Sequence, residues 1–69
     1  MVKVGDRYKE RMIPFKGKYF DWEYEVMGFK SEPYGDFADC ERIYPNGKRE
    51  KVGIDIELLK DTLFYKKVS

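Results

Sequence analysis

The chain has 69 residues, of which 14 are Lys or Arg and 13 are Asp or Glu, so its formal net charge is only +1. This length allows a single domain with a small core, because such a short chain buries only about 60% of the surface that its unfolded form exposes. The charge balance excludes a global attraction to nucleic acid or to an anionic membrane, so that binding to either would need a local patch. The absence of histidine removes the commonest general base and the commonest metal ligand.

The single cysteine, Cys40, cannot form an intramolecular disulfide, whereas small secreted domains usually carry several. We therefore expect a reducing, cytoplasmic setting. The first residues lack the apolar segment of a secretion signal, and no run approaches the ~18 apolar residues that a membrane span needs. The sequence predicts a soluble chain without membrane contact.

The N-terminal segment predicts one short strand followed by a long loop. Val2 and Val4 alternate with a lysine, Gly5-Asp6 predicts a turn, and Tyr8 to Ile13 continues the strand. Pro14 and Gly17 interrupt regular pairing in the next stretch, so residues 9–18 are predicted to form a long loop or an irregular hairpin. Its apolar members either cover one end of the core or form a partly exposed contact surface; they are Met12, Ile13 and Phe15.

The stretch from Tyr19 to Phe29 has the clearest alternation in the chain. One face is apolar and predicted to lie in the core, and the other is acidic. Gly28 breaks the alternation and predicts a bulge that bends a long strand. The apolar face contains Phe20, Trp22, Tyr24 and Val26, and the acidic face contains Asp21, Glu23 and Glu25.

The segment from Phe37 to Ile56 predicts two antiparallel strands, joined to the preceding strand by a loop over residues 31–36. Its turn, Tyr44-Pro45-Asn46-Gly47-Lys48, suits a three-residue loop in which glycine takes a positive φ. That loop sets opposite charges against each other and apolar residues against apolar residues. The predicted pairs are Arg42 with Glu50, Glu41 with Lys51, Cys40 with Val52, and Ala38 with Ile54, with the ion pairs outside and the apolar pairs within.

The last part of the chain predicts a single helical turn and a short strand. Asp55 can cap the turn, and Leu58 and Leu59 are expected to point inward. A strand from Leu63 to Val68 completes the sheet. The predicted core contains Val2, Val4, Tyr8, Phe20, Trp22, Tyr24, Val26, Ala38, Cys40, Val52, Ile54, Leu58, Leu59 and part of 63–68.

This order of elements resembles the SH3-like barrel, in which five short strands form two small sheets and a 3₁₀ turn precedes the last strand. The words Val4-Gly5-Asp6-Arg7-Tyr8, Trp22-Glu23-Tyr24-Glu25-Val26-Met27-Gly28, Leu58-Leu59 and Tyr65-Lys66-Lys67-Val68 are similar to those of short uncharacterised proteins encoded by phages and other mobile elements. The resemblance implies an all-β accessory protein that docks on a host protein complex, such as a defence or nucleic-acid-processing machine, and inhibits or redirects it.

Enzymatic chemistry is not expected. Cys40 has no histidine to activate it, stands between two acidic residues, and is predicted to be buried opposite Val52. The acidic face could bind a hard cation only if another strand supplied oxygen ligands, and such a stripe is usually a solvated surface. We therefore expect no catalytic residue, no metal and no cofactor.

The preferred hypothesis is a non-enzymatic protein-binding module, because segregated charges of both signs suit electrostatic docking. The alternative is a nucleic-acid binder that uses basic and aromatic residues. A third hypothesis is a sponge for a small ligand, built at the interface of a homo-oligomer, and both a monomer and a small homo-oligomer stay open. The predicted contact residues are Lys16, Lys18, Tyr34, Tyr44, Lys48 and Arg49, with the acidic face Asp21, Glu23 and Glu25 as a second surface.

Overall fold

The computed structural model describes residues 1–69, which form one antiparallel sheet of five strands and a single helical turn. The all-β prediction is confirmed. The strands are β1 (Arg7–Met12), β2 (Phe15–Glu32), β3 (Gly35–Ile43), β4 (Arg49–Asp55) and β5 (Tyr65–Lys67), and α1 (Ile56–Lys60) follows β4. No helix has the length and apolar content that a bilayer crossing demands.

The strand order across the sheet is β4-β3-β2-β1-β5, so that β4 and β5 are its two edges. These edges do not pair with each other, and the sheet is therefore open where a closed barrel was predicted. The helical turn α1 connects them and packs against β3, β4 and β5. Asp55 caps it as predicted, since its carboxylate accepts hydrogen bonds from the amides of Glu57 (2.8 Å) and Leu58 (3.4 Å).

The hairpin formed by β3 and β4 has the predicted register at every pair, from Ala38 opposite Ile54 to Arg42 opposite Glu50. The Tyr44 amide donates to the Lys48 carbonyl at 2.9 Å, and the Gly47 amide donates to the Tyr44 carbonyl at 2.8 Å. Gly47 has a φ of 87°, which a side chain would disfavour. The three-residue loop is therefore confirmed.

Of the two predictions for residues 9–18, the long loop is wrong and the irregular hairpin is confirmed, because β1 and β2 form a second hairpin with register shifts through most of it. Pro14 lies at its tip, where a missing N–H disrupts no ladder. Met12 pairs with Phe15 across this tip. β2 also continues beyond the predicted end of the strand, so the loop predicted over residues 31–36 is reduced to a tight turn at Pro33 and Tyr34.

The register of β2 is interrupted twice. The shift between Val26 and Gly28 opposite β3 confirms the predicted bulge. A larger shift lies opposite β1, where Lys9 pairs with Glu23 but Arg11 pairs with Tyr19. Three residues of β2 therefore lie opposite the single residue between Lys9 and Arg11, which increases the local twist of the sheet.

The core contains eight buried residues: Tyr8, Tyr24, Val26, Ala38, Cys40, Ile54, Leu59 and Tyr65. Val2, Trp22 and Val52 are only partly buried at its margin, and so is Phe20. Two predicted core residues are wrong. Val4 is 63% exposed, because the turn at Gly5 and Asp6 reverses the chain before β1 begins, and Leu58 is 39% exposed while Leu59 is 1% exposed. A five-residue helical turn presents only one of two adjacent leucines to the sheet.

Candidate binding surface

A hydrogen-bonded network lies on the inner face of the sheet. The Oε1 atom of Glu10 accepts a hydrogen bond from the Tyr24 hydroxyl at 2.7 Å and one from Trp22 Nε1 at 3.1 Å. Arg42 Nε donates to the Tyr24 hydroxyl at 3.1 Å. Burial and the hydrogen bond to Glu10 raise the pKa of Tyr24 to about 12, so its hydroxyl stays protonated and can bond to both charged partners at neutral pH.

Arg42 extends this network to the tip of the β3–β4 hairpin. Its Nη1 atom lies 3.2 Å from the Tyr44 hydroxyl and 3.4 Å from Glu50 Oε1, and the Tyr44 hydroxyl donates to the same carboxylate at 3.1 Å. Its guanidinium also lies 5.0 Å from the centroid of the Trp22 ring. The hydrogen bonds to Tyr44 and Tyr24 raise the pKa of Arg42, against the opposing effect of desolvation. The ring of the predicted contact residue Tyr44 also packs edge-on against Trp22 of β2, with the centroids 6.0 Å apart.

The position of Arg42 corrects the prediction that the ion pairs lie outside. Residues two apart along a strand share a face. Arg42 therefore lies on the same side as the buried Ala38 and Cys40, and its ion pair with Glu50 lies at the margin of the core. The Cys40 prediction is confirmed, since the thiol is buried opposite Val52. Burial and the nearby carboxylate of Asp39 raise its pKa to about 11.

The outer face carries charges of both signs in direct contact, which we call the mixed-charge face: Arg7, Glu23, Glu25, Glu41 and Arg49. Arg7 lies 3.6 Å from Glu23 and 3.5 Å from Glu25. Arg49 lies 3.0 Å from Glu25 and 2.7 Å from Glu41. Two members of the predicted acidic face are therefore neutralised by arginines, and the predicted contact residue Arg49 is held among carboxylates.

A groove of about 420 Å³, which we call the basic groove, is lined by three lysines, Lys9, Lys18 and Lys66, together with Tyr19, Phe20 and Asp21. None of its lysines belongs to an ion pair. Lys9 and Lys66 are directly opposed on β1 and β5. The Lys66 ammonium and the Arg11 guanidinium lie 5.8 and 5.0 Å from the centroid of the Tyr19 ring.

A second groove, which we call the hairpin groove, has a volume of about 430 Å³ and lies beside the β3–β4 turn. It is lined by Asp21, Trp22, Tyr44, Pro45, Asn46 and Lys48. Asp21 also lines the basic groove, so the two grooves meet there. Between them Phe20 and Trp22 stack with their centroids 4.5 Å apart and their planes within 6°.

Exposed apolar side chains surround the tip of the β1–β2 hairpin, and we call this set the apolar tip: Met12, Ile13, Phe15, Leu63 and Phe64. The side chain of Arg11 joins its two segments. Arg11 Nη1 donates to the Lys16 carbonyl at 2.7 Å, and Arg11 Nε donates to the Thr62 carbonyl at 2.7 Å. Phe15 is 66% exposed. Of the two interpretations of these apolar residues, the exposures favour a contact surface over a core cover.

A depression of about 540 Å³ lies on the outer face around Gly28 and Gly53. Asp39 is paired with Gly28 on β2 and with Gly53 on β4. Because both partners are glycines, no cross-strand side chain lies beside its carboxylate. Its charged lining contains Asp39, Glu41 and Lys51. Charges of both signs and few apolar side chains give this depression no preference for one class of ligand.

The predicted contact residues do not all come together. Lys16, Lys18, Tyr44 and Lys48 lie toward the end of the sheet where both hairpins turn. Tyr34 is 79% exposed but lies in the β2–β3 turn at the opposite end, with its ring 5.7 Å from Phe37. The sequence patterns did not place Glu10 or Trp22 in a site. The even spacing of Glu10 from Tyr8 was a signal that it shares the inner face.

No protein-family model, no curated protein and no solved structure matches the chain.

Proposed function

We propose that the chain is a non-enzymatic protein-binding module that docks through its apolar tip, with Lys16 and Lys18 at the rim of the contact. The observation that carries this proposal is the exposure of Phe15 among four other exposed apolar side chains. Contiguous apolar surface of this kind marks interaction sites, and its burial contributes about 25 cal/mol per Å². Flanking cations set the orientation and the rate of association with an acidic partner.

The two hydrogen bonds of Arg11 support a rigid contact surface. They connect the hairpin tip to the turn before β5, at 2.7 Å each. A surface that is already ordered before binding loses less conformational entropy when the partner arrives. The apolar tip is therefore organised for binding without a large rearrangement.

The proposal extends to an SH3-like architecture, in which the sheet curls and α1 covers the seam between β4 and β5. The strand order and the helical turn before the last strand support it. A phage-type accessory role, inhibition of a host protein complex and a cytoplasmic location rest on the resemblance of the short sequence words and on the unpaired thiol of Cys40. Tyr34 and Tyr44 stay predicted aromatic anchors.

The test is an affinity capture of protein partners in which two variants with the same Phe-to-Asp substitution at different places are compared with the wild-type chain. Phe15→Asp introduces a charge into the apolar tip, and Phe29→Asp introduces the same charge at an exposed phenylalanine in the other half of β2. We expect a partner that is recovered with the wild-type chain and with Phe29→Asp but lost with Phe15→Asp. The purified partner should then show the same order in a direct binding measurement.

Equal recovery with both variants would contradict docking through the apolar tip. Circular dichroism and thermal unfolding of the two variants establish that each is folded before the comparison. Tyr34→Ala and Tyr44→Ala, measured in the same way, identify which predicted anchor contributes to the contact.

A further inference from the structure

We propose that the basic groove and the hairpin groove form one continuous track that binds single-stranded nucleic acid, with lysines on the phosphates and the stacked rings of Phe20 and Trp22 as the platform for a base. This activity differs from docking through the apolar tip, with which the track shares only Lys18. It uses a local concentration of charge that the net charge of +1 conceals.

The first support is a like-charge pair without an ion pair of its own, since Glu23, which lies opposite Lys9 on β2, is ion-paired with Arg7. Lys9 and Lys66 are directly opposed on neighbouring strands, an arrangement that is unfavourable without a counter-charge. Lys18 lines the same groove, and none of these lysines is ion-paired. A phosphate between Lys9 and Lys66 would relieve the repulsion and release the counterions that the nucleic acid carries.

The second support is an aromatic platform that is already fixed in place. Trp22 is held by its hydrogen bond to Glu10 at 3.1 Å and by the guanidinium of Arg42 at 5.0 Å. Phe20 stacks on Trp22 at 4.5 Å and also lines the basic groove. An ordered, partly exposed ring beside lysines suits an unpaired base, because every base offers a π-face and the phosphates bind the cations.

The third support is continuity. The hairpin groove begins where the basic groove ends, at Asp21, and it contributes a further lysine without an ion pair, Lys48. Asp21 is the only acidic side chain that lines either groove. Its carboxylate opposes a passing phosphate, so Asp21→Asn should bind more tightly than the wild-type chain.

A single strand is favoured over a duplex and over a lipid surface. The bases of a duplex are stacked on each other and cannot use Phe20, and a lipid surface offers nothing that stacks. The apolar tip carries five exposed apolar residues, whereas the basic groove carries three lysines, partly exposed rings and one exposed apolar residue, Val68. With three to four phosphates neutralised, the slope of log K against log salt should be about −2 to −3.

The experiment is fluorescence anisotropy of the full chain with a labelled oligothymidylate of ~10 nucleotides, at salt from about 50 to about 200 mM. Lys66→Ala should weaken binding and reduce the magnitude of the salt slope by about 0.7. Phe20→Leu should weaken binding by about tenfold and leave the slope unchanged. The matched control is Lys51→Ala, which removes an exposed lysine without an ion pair from outside both grooves, and it should have no effect.

Each remaining outcome overturns the proposal. Absence of oligonucleotide binding at low salt would contradict the proposed track. Equal weakening of binding by Lys51→Ala and Lys66→Ala would show that the attraction is unspecific. Equal affinity for the matched duplex, or tighter binding to vesicles that contain phosphatidylserine, removes the stacking role of Phe20. Since Lys66→Ala and Asp21→Asn change exposed groups, their opposite effects test the track even if Phe20→Leu is unfolded. Phe15→Asp should leave oligonucleotide binding intact, which separates this proposal from docking through the apolar tip.

Discussion

The mixed-charge face and the basic groove each contain two like charges that are directly opposed on neighbouring strands. Glu25 faces Glu41 on the mixed-charge face, and Arg49 lies within 3.0 Å of both carboxylates. Lys9 faces Lys66 in the basic groove, and no carboxylate comes within ion-pair distance of either ammonium. The same local repulsion is thus offset by an arginine in one region and by no ion pair in the other.

The difference follows the chemistry of the two cations. Arg7, Arg42 and Arg49 all contact carboxylates, as expected for a planar group with several fixed donors. The lysines of the basic groove are flexible point charges and stay in solvent. Unpaired charge therefore locates a candidate site in this chain better than the number of charged residues does.

The largest expected effect is a loss of stability at alkaline pH. It arises from buried groups, so neither the mixed-charge face nor the basic groove sets the pH dependence of the free energy of unfolding. The pKa of Cys40 is raised to about 11 from 9.0 and that of Tyr24 to about 12 from 10.0 by burial. The unfolded chain releases these protons first, so stability is full below pH 9 and falls as the pH rises toward 11. We expect a loss of about 3 kcal/mol in urea titrations over this range.

Cys40→Ala is the control for the alkaline loss. It removes one of four buried groups whose pKa is raised, the others being Tyr8, Tyr24 and Tyr65, so the dependence on pH should become shallower although the variant is less stable at neutral pH. An equally steep loss in Cys40→Ala would place the effect in the buried tyrosines rather than in the thiol.

The second prediction sharpens the role of paired arginines. Arg42 has the least exposed side chain of the three, at 28%, and its replacement leaves Glu50 and Tyr24 without their cationic partner. Arg42→Met should lower the free energy of unfolding by about 2 kcal/mol, measured by urea denaturation. Lys51→Met makes the same substitution at an exposed lysine and should change it little. Equal losses in the two variants would mean that the inner network does not stabilise the fold.

The third prediction tests the neutralised acidic pair. Arg49→Met leaves Glu25 and Glu41 opposed without the arginine between them, so the thermal midpoint should fall by roughly 3 °C. Lys48→Met, one residue earlier and without an ion pair, should leave the midpoint unchanged. High salt should reduce the difference in thermal midpoint between the two variants. If it does not, that difference has a cause other than charge.

The smallest effect is expected in the basic groove itself. Lys66→Gln relieves the repulsion with Lys9 and loses the contact with the Tyr19 ring, two effects of similar size and opposite sign. Its free energy of unfolding should therefore stay within about 0.5 kcal/mol of the wild-type value. A loss of unfolding free energy above about 1 kcal/mol would show that Lys66 stabilises the fold and is not free to bind a ligand.

The sequence predicted the β3–β4 hairpin in full, because its turn residues and its pairing preferences favour one register. For the β1–β2 hairpin it left a long loop and an irregular hairpin as alternatives. Pro14 and Gly17 disfavour regular strands in general, but Pro14 lies at the turn itself, where no ladder hydrogen bond is lost. A local pattern indicates that a residue interrupts pairing, but not that the interruption falls at a tip.

The inner network and the grooves were also beyond the sequence patterns. The alternation that placed Tyr24 in the core also places Arg42 on that face, but charged residues in strands are usually assigned to the solvent side. The basic groove depends on the register shift between Lys9 and Arg11. Such a shift arises from the packing of the whole sheet, and no turn residue at that point indicates it.

The unpaired edges of β4 and β5 have a consequence for the motions of the molecule. Only α1 connects them, and Leu59 is the one residue of that turn buried in the core. β5 has three residues and pairs with β1 alone. In native-state hydrogen exchange, amides from Ile56 to Lys67 should exchange soonest, as a unit that detaches while the two hairpins stay protected. Two of the five residues of the apolar tip, Leu63 and Phe64, belong to that unit, so a bound partner should slow its exchange.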